Sequence, residues 1–223
     1  MLSVLPGYYK HEIGRIPALA EKKDMSLYLE VTPFHFSAAV AVEAFNQFQY
    51  LIDFSFSKRI SEEKLPEVLS GITSSHPELN YSYGKIKIAF WCETELVPKG
   101  FEHYTGDTLL EPVKENIFAA YKIDDSLFEV ARRSFANFSV TTVQTTFIRQ
   151  ALSIRSGVFV LTFQDCFGVA LIPNEEQLVL NNWFSYKNPE DFLYFLLMAC
   201  ESLQIDRSAI PLFCCGRTDK SSP

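Results

Sequence analysis

Two stretches of this chain lie on one another without a gap. LYLEVTPFHFSAAVAVE, from Leu27 to Glu43, matches VFVLTFQDCFGVALIPN, from Val158 to Asn174, at an offset of 131 residues. Each reads as two strands broken by a short turn. The elements that follow also correspond. After the first copy come a third strand (Gln47 to Ser57), a helix (about Ser61 to Ser74, Ser61 as cap) and a strand (Lys85 to Cys92). After the second come a strand (Leu178 to Tyr186), a helix starting at Asn188, and a strand (Ile210 to Cys215). Asp53-Phe54-Ser55-Phe56-Ser57 before one helix answers Trp183-Phe184-Ser185-Tyr186-Lys187 before the other. A repeat constrains the fold more than any single element does. Strand, strand, strand, helix, strand, used twice, predicts two mixed sheets. Each is an antiparallel meander plus a parallel strand reached through a helix.

The spacing within these segments supports that order. Phe48, Tyr50, Ile52, Phe54 and Phe56 alternate with Gln47, Gln49, Asp53, Ser55 and Ser57, which predicts one buried and one wetter face. In the second half, Asn188 is placed as N-cap, Pro189 as the first helical residue, and Glu190 and Asp191 in the first turn. Nine apolar residues follow, Phe192 to Cys200. That run predicts a helix buried on nearly every side, with Phe192, Phe195, Leu196 and Leu203 in the core. It is too short to span a bilayer, which takes about 20 such residues. Between the copies, Asn116 to Ile123 and Phe138 to Val143 read as strands. Asp124 to Phe135 and Thr145 to Ile154 read as helices. Residues 93 to 113, with two prolines and two glycines, read as loop. The domains are therefore expected to be an N-terminal arm (1–24), a first half (25–155) and a second half (156–223).

Composition excludes several functions. The net charge of −7 argues against nucleic acid as a partner, because phosphate binding relies on clustered cations and the pairs Lys58-Arg59 and Arg132-Arg133 stand apart. Cys92, Cys166, Cys200, Cys214 and Cys215 are odd in number, lack a C-x-x-C spacing and sit in apolar stretches. They imply free thiols in a reducing compartment, hence a cytoplasmic protein. The start MLSVLPGYYKHEIGR lacks the layout of a signal peptide. His11, His35, His76 and His103 are scattered, so no metal site and no cofactor is expected. No G-x-S-x-G or G-x-x-x-x-G-K-[ST] occurs.

The duplicated order resembles the ribonuclease-H-like fold shared by actin, heat-shock chaperones and sugar kinases. A more specific resemblance rests on Asn182, Phe184, Tyr186, Lys187, Glu190, Asp191, Phe192 and Tyr194. It is similar to the signature of an uncharacterised Bacteroidetes family, the domain of unknown function DUF3822. Asn188 departs from the Thr or Ser expected there, though all three can cap. Gly216-Arg217 departs from a glycine followed by an acid. The resemblance implies an actin-like ATPase fold, α/β or α+β with helices flanking two mixed sheets, and brings no established activity.

Actin-like ATPases hold phosphate and metal at the turns between strands one and two of each half. Here the first turn, Val31 to Phe36, offers no acid and no glycine, and Pro33 removes one donor. The second, Phe163 to Gly168, offers Asp165, and Gly216 stands alone where paired glycines would approach a nucleotide. No cofactor-binding residue is assigned: Asp165 reads first as a turn residue, and it and Gly216 are the only candidates. Asn182, Tyr186 and Asp191 are candidate polar positions near a cleft. No catalytic residue is assigned: a ribonuclease-type site needs converging carboxylates, and Glu30 and Asp165 belong to different halves. The expected function is a binding or scaffold protein with a protein partner, open to homo-oligomers. The alternative is a nucleotide-binding ATPase or kinase-like protein with a divergent phosphate site. The apolar strand Ile210 to Cys215 also needs cover. The second half is accordingly expected to lack a segment of roughly 30–50 residues, about one helix and one strand, or to be covered by a partner chain.

Overall fold

The computed structural model describes residues 8–15, 24–42, 47–80, 82–100, 106–174, 177–206 and 208–216. The chain divides into two compact units, Met1–Val143 and Gln144–Pro223. This division by packing falls before the helix that the repeat places at the end of the first half.

The first unit contains β1 (Tyr8–Gly14), β2 (Ser26–Val31), β3 (His35–Val42), β4 (Gln47–Phe56), α1 (Leu65–Ser75), β5 (Lys85–Phe90), β6 (Thr94–Pro98), β7 (Leu109–Lys114), β8 (Ile117–Tyr121), α2 (Asp125–Ser134) and β9 (Phe138–Thr142). A six-stranded sheet runs β1-β4-β3-β2-β5-β9, and β6, β8 and β7 form a small antiparallel sheet. β2, β3 and β4 are the predicted antiparallel meander. β5 returns parallel beside β2, and β9 lies parallel beside β5. Alternation sends Leu27, Leu29, Phe36, Val40, Ile52, Phe54, Ile86 and Ile88 into one core. α1 lays Leu65, Val68, Leu69 and Ile72 on it, all buried. A short 3-10 turn, Glu62–Lys64, precedes α1, and Ser61 makes no side-chain capping bond. α2 packs beside α1. Its start is fixed by Asp124, which accepts from the Leu127 N–H at 3.0 Å.

α3 (Val143–Ile154) leads into the second unit, with β10 (Gly157–Thr162), β11 (Cys166–Ile172), β12 (Leu180–Ser185), α4 (Pro189–Ser202) and β13 (Leu212–Gly216). The sheet order is β12-β11-β10-β13, with β13 parallel to β10. The Asn188 side chain caps α4, accepting from the Asp191 N–H at 2.8 Å. The repeat extends to individual hydrogen bonds. Thr32 N–H donates to His35 O at 3.0 Å, and 131 residues on Phe163 N–H donates to Cys166 O at 2.9 Å. Phe56 N–H donates to Phe34 O, and Tyr186 N–H to the equivalent Asp165 O, both at 3.0 Å. On the sheet face away from α4, Trp183 lies across Gly168, where a Cβ would come within 2.8 Å of the indole. Trp183 also meets Phe163 and, from α3, Phe147.

The structure corrects four expectations. Tyr8–Gly14, within the expected N-terminal arm, is an edge strand paired with β4; the rest of that arm up to residue 23, apart from Arg15, lies outside the described residues. Residues 93–113 contain β6 and most of β7. Phe48 lies beyond the buried face, 73 % exposed. α4 is buried on one side only: Leu196, Ala199 and Cys200 are covered, and Phe192 and Phe195 pack against the same cluster. Leu193, Tyr194, Leu197, Met198 and Leu203 are exposed, because the sheet offers the helix a single apolar face. Among the described residues no helix is long and apolar enough to cross a membrane.

Candidate functional site

The turns at the carboxyl ends of β2 and β10 are where an open α/β sheet places a ligand. The first turn is closed on itself. Thr32 Oγ1 accepts from the backbone N–H of Phe34 at 3.1 Å and of His35 at 2.9 Å. Thr32 N–H is spent on His35 O, and Pro33 has no N–H. Every backbone donor from Thr32 to His35 is thus accounted for within the turn. Its carbonyls are used as well: Pro33 O accepts from Ile60 N–H at 2.8 Å, and Phe34 O from Phe56. Phe34 is fully buried, edge-on to Trp91 at 5.3 Å, with the Arg59 guanidinium 5.3 Å above its ring. A phosphate cradle needs backbone N–H groups aimed outward, and this turn aims them at its own threonine. Nearby, Glu30 pairs with His35 Nε2 at 3.1 Å.

The second turn gathers Asp165, Tyr186 and, at the end of β13, Gly216. Tyr186 holds the turn at both ends of its residue: its N–H donates to Asp165 O, and its hydroxyl donates to Phe163 O at 2.7 Å. Its ring packs on Phe167 and Phe192. Burial pushes its hydroxyl pKa up, with the charge of Cys166 and Asp165 adding to the shift. Gly216 has φ +94°, and a Cβ there would lie 2.3 Å from Thr162 O. The glycine is required by close packing against β10, which accounts for it without a nucleotide. Asn182 is exposed on β12, and its Oδ1 accepts from Trp183 N–H at 2.8 Å. Asp191 completes the helix cap, accepting from Lys187 N–H at 3.0 Å. Each of these three positions is engaged by backbone: Asn182 by Trp183, Tyr186 by Phe163 and Asp191 by Lys187.

His11, His35 and His76 stand on separate elements, with His76 beside Glu78 at 2.9 Å; His103 lies outside the described residues. Among the described residues no three His, Cys, Asp or Glu side chains gather as a metal ion would require. A cavity of about 550 Å³ opens beside α2, lined by Glu93, Glu95, Tyr121, Lys122, Asp124 and Asp125. It is remote in sequence from both turns, and Asp124 is committed to capping α2. Sequence reasoning missed the acceptor role of Thr32 and the grip of Tyr186 on Phe163. A threonine two residues before an apolar residue in a tight turn was the available signal for the first.

No curated protein matches the chain significantly. Among solved structures, it is similar to a protein of actin-like ATPase fold and unknown function from Bacteroides thetaiotaomicron, at 18 % identity and TM-score 0.76, covering 92 % of this chain and 87 % of that one. That likeness shows the actin-like ATPase fold. Weaker likenesses include the ethanolamine utilization protein EutJ from Carboxydothermus hydrogenoformans (9 % identity, TM-score 0.44, 82 % of this chain and 58 % of that one). Another is a PilM-PilN type IV pilus biogenesis complex (11 %, 0.45, 81 % and 66 %). At those scores neither bears on function. The family model described as "Protein of unknown function (DUF3822)" matches residues 101–222, more than half of the chain. The protein therefore belongs to the DUF3822 family, whose function is unknown, and it carries the actin-like ATPase fold.

Proposed function

We propose that this protein is a non-catalytic member of the actin-like fold, a cytoplasmic binding or scaffold protein that acts on a protein partner, not on nucleic acid. The observation that carries this reading is the first turn, whose backbone N–H groups are all taken up by Thr32 Oγ1 and His35 O and whose Phe34 is fully buried. A nucleotide-hydrolysing actin fold needs that turn open to phosphate. The free cysteines, of which Cys166 and Cys200 are buried, support a reducing compartment. The acidic balance supports a partner other than nucleic acid. The working halves are those of the repeat, residues 25–155 and 156–223, with residues 1–24 ahead of them contributing the edge strand β1 to the first.

The test is a thermal melt with and without Mg-ATP. A ligand at 100 times its Kd stabilises the native state by about 2.7 kcal/mol, a shift of several degrees. The expected result is no shift at millimolar Mg-ATP. A clear upward shift would mean that the second turn alone supports nucleotide binding, and the scaffold reading would fall.

A further inference from the structure

β1 ends the six-stranded sheet, and among the described residues no strand pairs with its other edge. Tyr9 to Gly14 are all exposed, Tyr9 at 70 % and Ile13 at 66 %. An open edge is a template for another strand, and proteins that forbid such pairing blunt the edge with repelling charge, proline or a bulge. β1 has none of these. Its register with β4 is unbroken from Tyr8 to Gly14, and its two fixed charges, Lys10 and Glu12, are of opposite sign.

The order of residues selects the occupant. Tyr8-Tyr9-Lys10-His11-Glu12-Ile13-Gly14 is complementary to itself about its middle. Laid antiparallel on a second copy with His11 at the two-fold axis, Lys10 falls opposite Glu12 of the copy, and Glu12 opposite Lys10 of the copy. Lys10 Nζ already meets Glu12 Oε2 at 2.8 Å within the strand, and the Tyr50 hydroxyl donates to Glu12 Oε1 at 3.1 Å. Pairing therefore closes four charges into a ring of alternating sign, a network in place of isolated surface pairs. On the other face Tyr9 falls opposite Ile13 of the copy, and aromatic against β-branched is a favoured cross-strand pair. Leu51, opposite Ile13 in β4 and exposed, extends that pair into an apolar row. His11 meets its counterpart at the axis, where each imidazole has a donor and an acceptor nitrogen to offer. Asp53 of β4 stands opposite it on the inner side. Tyr8 falls opposite Gly14, which has no side chain to obstruct the ring.

Other registers lose these matches. A slip of two residues sets Lys10 against Lys10 in one direction and Glu12 against Glu12 in the other. A slip of one turns the face of Tyr9 and Ile13 over. We propose that two copies of this protein associate through β1, edge to edge and antiparallel about His11, so that their six-stranded sheets become one. The contact is isologous, so it closes at the dimer. It is also small, which makes the dimer weak and dependent on concentration. The inference goes beyond the scaffold reading and does not rest on it, because neither nucleotide turn takes part.

The test is analytical ultracentrifugation of the whole protein at low salt, from micromolar to millimolar concentration. The wild type is expected to pass from monomer to dimer, less readily as salt is added. Lys10→Glu makes the strand wholly acidic and Glu12→Lys makes it wholly basic, so either change should weaken dimerisation about tenfold or more. An equal mixture of the two variants should restore it, since every opposed pair is then of opposite sign. Both side chains are exposed, so both variants should melt close to the wild type. The register is read by mild oxidation. His11→Cys should cross-link to its own copy through residue 11, located by peptide mass, and Tyr9→Cys should not, because position 9 lies opposite position 13. If a charge variant melts early, this cross-link decides alone. A monomer at every concentration, a dimer unaffected by Lys10→Glu, variants that stay apart when mixed, or no cross-link at residue 11 would each overturn the proposal. So would hydrogen-exchange protection of all β1 amides in dilute protein, since the edge would then be closed within the chain. Self-association abolished by Leu197→Asp and untouched by the β1 variants would place the contact on α4 and overturn it as well. A Mg-ATP shift counts against the scaffold reading alone, so the two failures are distinguishable.

Discussion

Gly216 and Cys92 show how single residues are committed to the fold. Gly216 combines a positive φ with a Cα pressed against Thr162. Gly216→Ala should therefore destabilise by about 1–3 kcal/mol, from left-handed strain and steric conflict together. Urea denaturation of the variant checks this, and an unchanged midpoint would show that the end of β13 is not held as described. Cys92 is a separate case. Burial pushes its thiol pKa from 9.0 up to about 12, against a smaller opposing effect from its hydrogen bond with Thr94. The folded value lies above the unfolded one, so folding favours the neutral thiol. That contribution is complete below pH 9 and is lost as pH rises from 9 toward 12. A Cys92→Ala variant should consequently lose less stability than the wild type across that window. Equal losses in urea titrations at the two ends of the window would contradict it. Both commitments were hidden in the sequence. A lone glycine and a lone cysteine look alike whether they serve packing or chemistry, and only the distance to Thr162 or the burial of the thiol separates the two.

The elements were legible wherever one face is apolar and the other polar. The hairpins β2–β3 and β10–β11 follow from alternation and from the offset of 131, and α2 from a helix start at Asp124 or Asp125, of which Asp124 is the cap. Where legibility failed, the cause was local. Pro98 and Pro112 made residues 93–113 read as loop. Pro98 is the last residue of β6, however, and Pro112 sits at the register irregularity between β7 and β8. These are the places where a strand tolerates proline. β1 was missed because it is paired on one edge and its residues are mostly exposed, which leaves no hydrophobic period to read. In α4, composition marks apolar residues without saying whether they face a sheet or an outside surface. Two adjacent leucines resolve that ambiguity by experiment. Leu196→Ala, at a buried position, should cost about 2–5 kcal/mol. Leu197→Ala, at a position 38 % exposed, should fall within about 0.5 kcal/mol of wild type. Equal costs at the two positions would show that the helix is rotated from its observed setting.

At the scale of the molecule, the duplicated architecture was read from order and spacing, since a repeat reports on topology even when no single segment is decisive. The candidate site was less legible. Sequence showed that the first turn lacks glycine and acid, but its closure depends on the Thr32 hydroxyl accepting two N–H groups, which is a matter of angle and distance. The first unit builds its main cluster from Met25 to Phe135. Residues 1–143 expressed alone are therefore expected to melt in one cooperative transition, followed by circular dichroism; a gradual, featureless melt would show that its core depends on the rest of the chain. The chain has two tryptophans, and they fall one to each unit: Trp91, edge-on to Phe34, and Trp183, laid across Gly168. The consequence is optical. Each unit carries its own fluorophore, so the emission of a Trp91→Phe variant reports on the second unit alone and that of a Trp183→Phe variant on the first. Two unfolding curves can then be recorded from one unlabelled polypeptide.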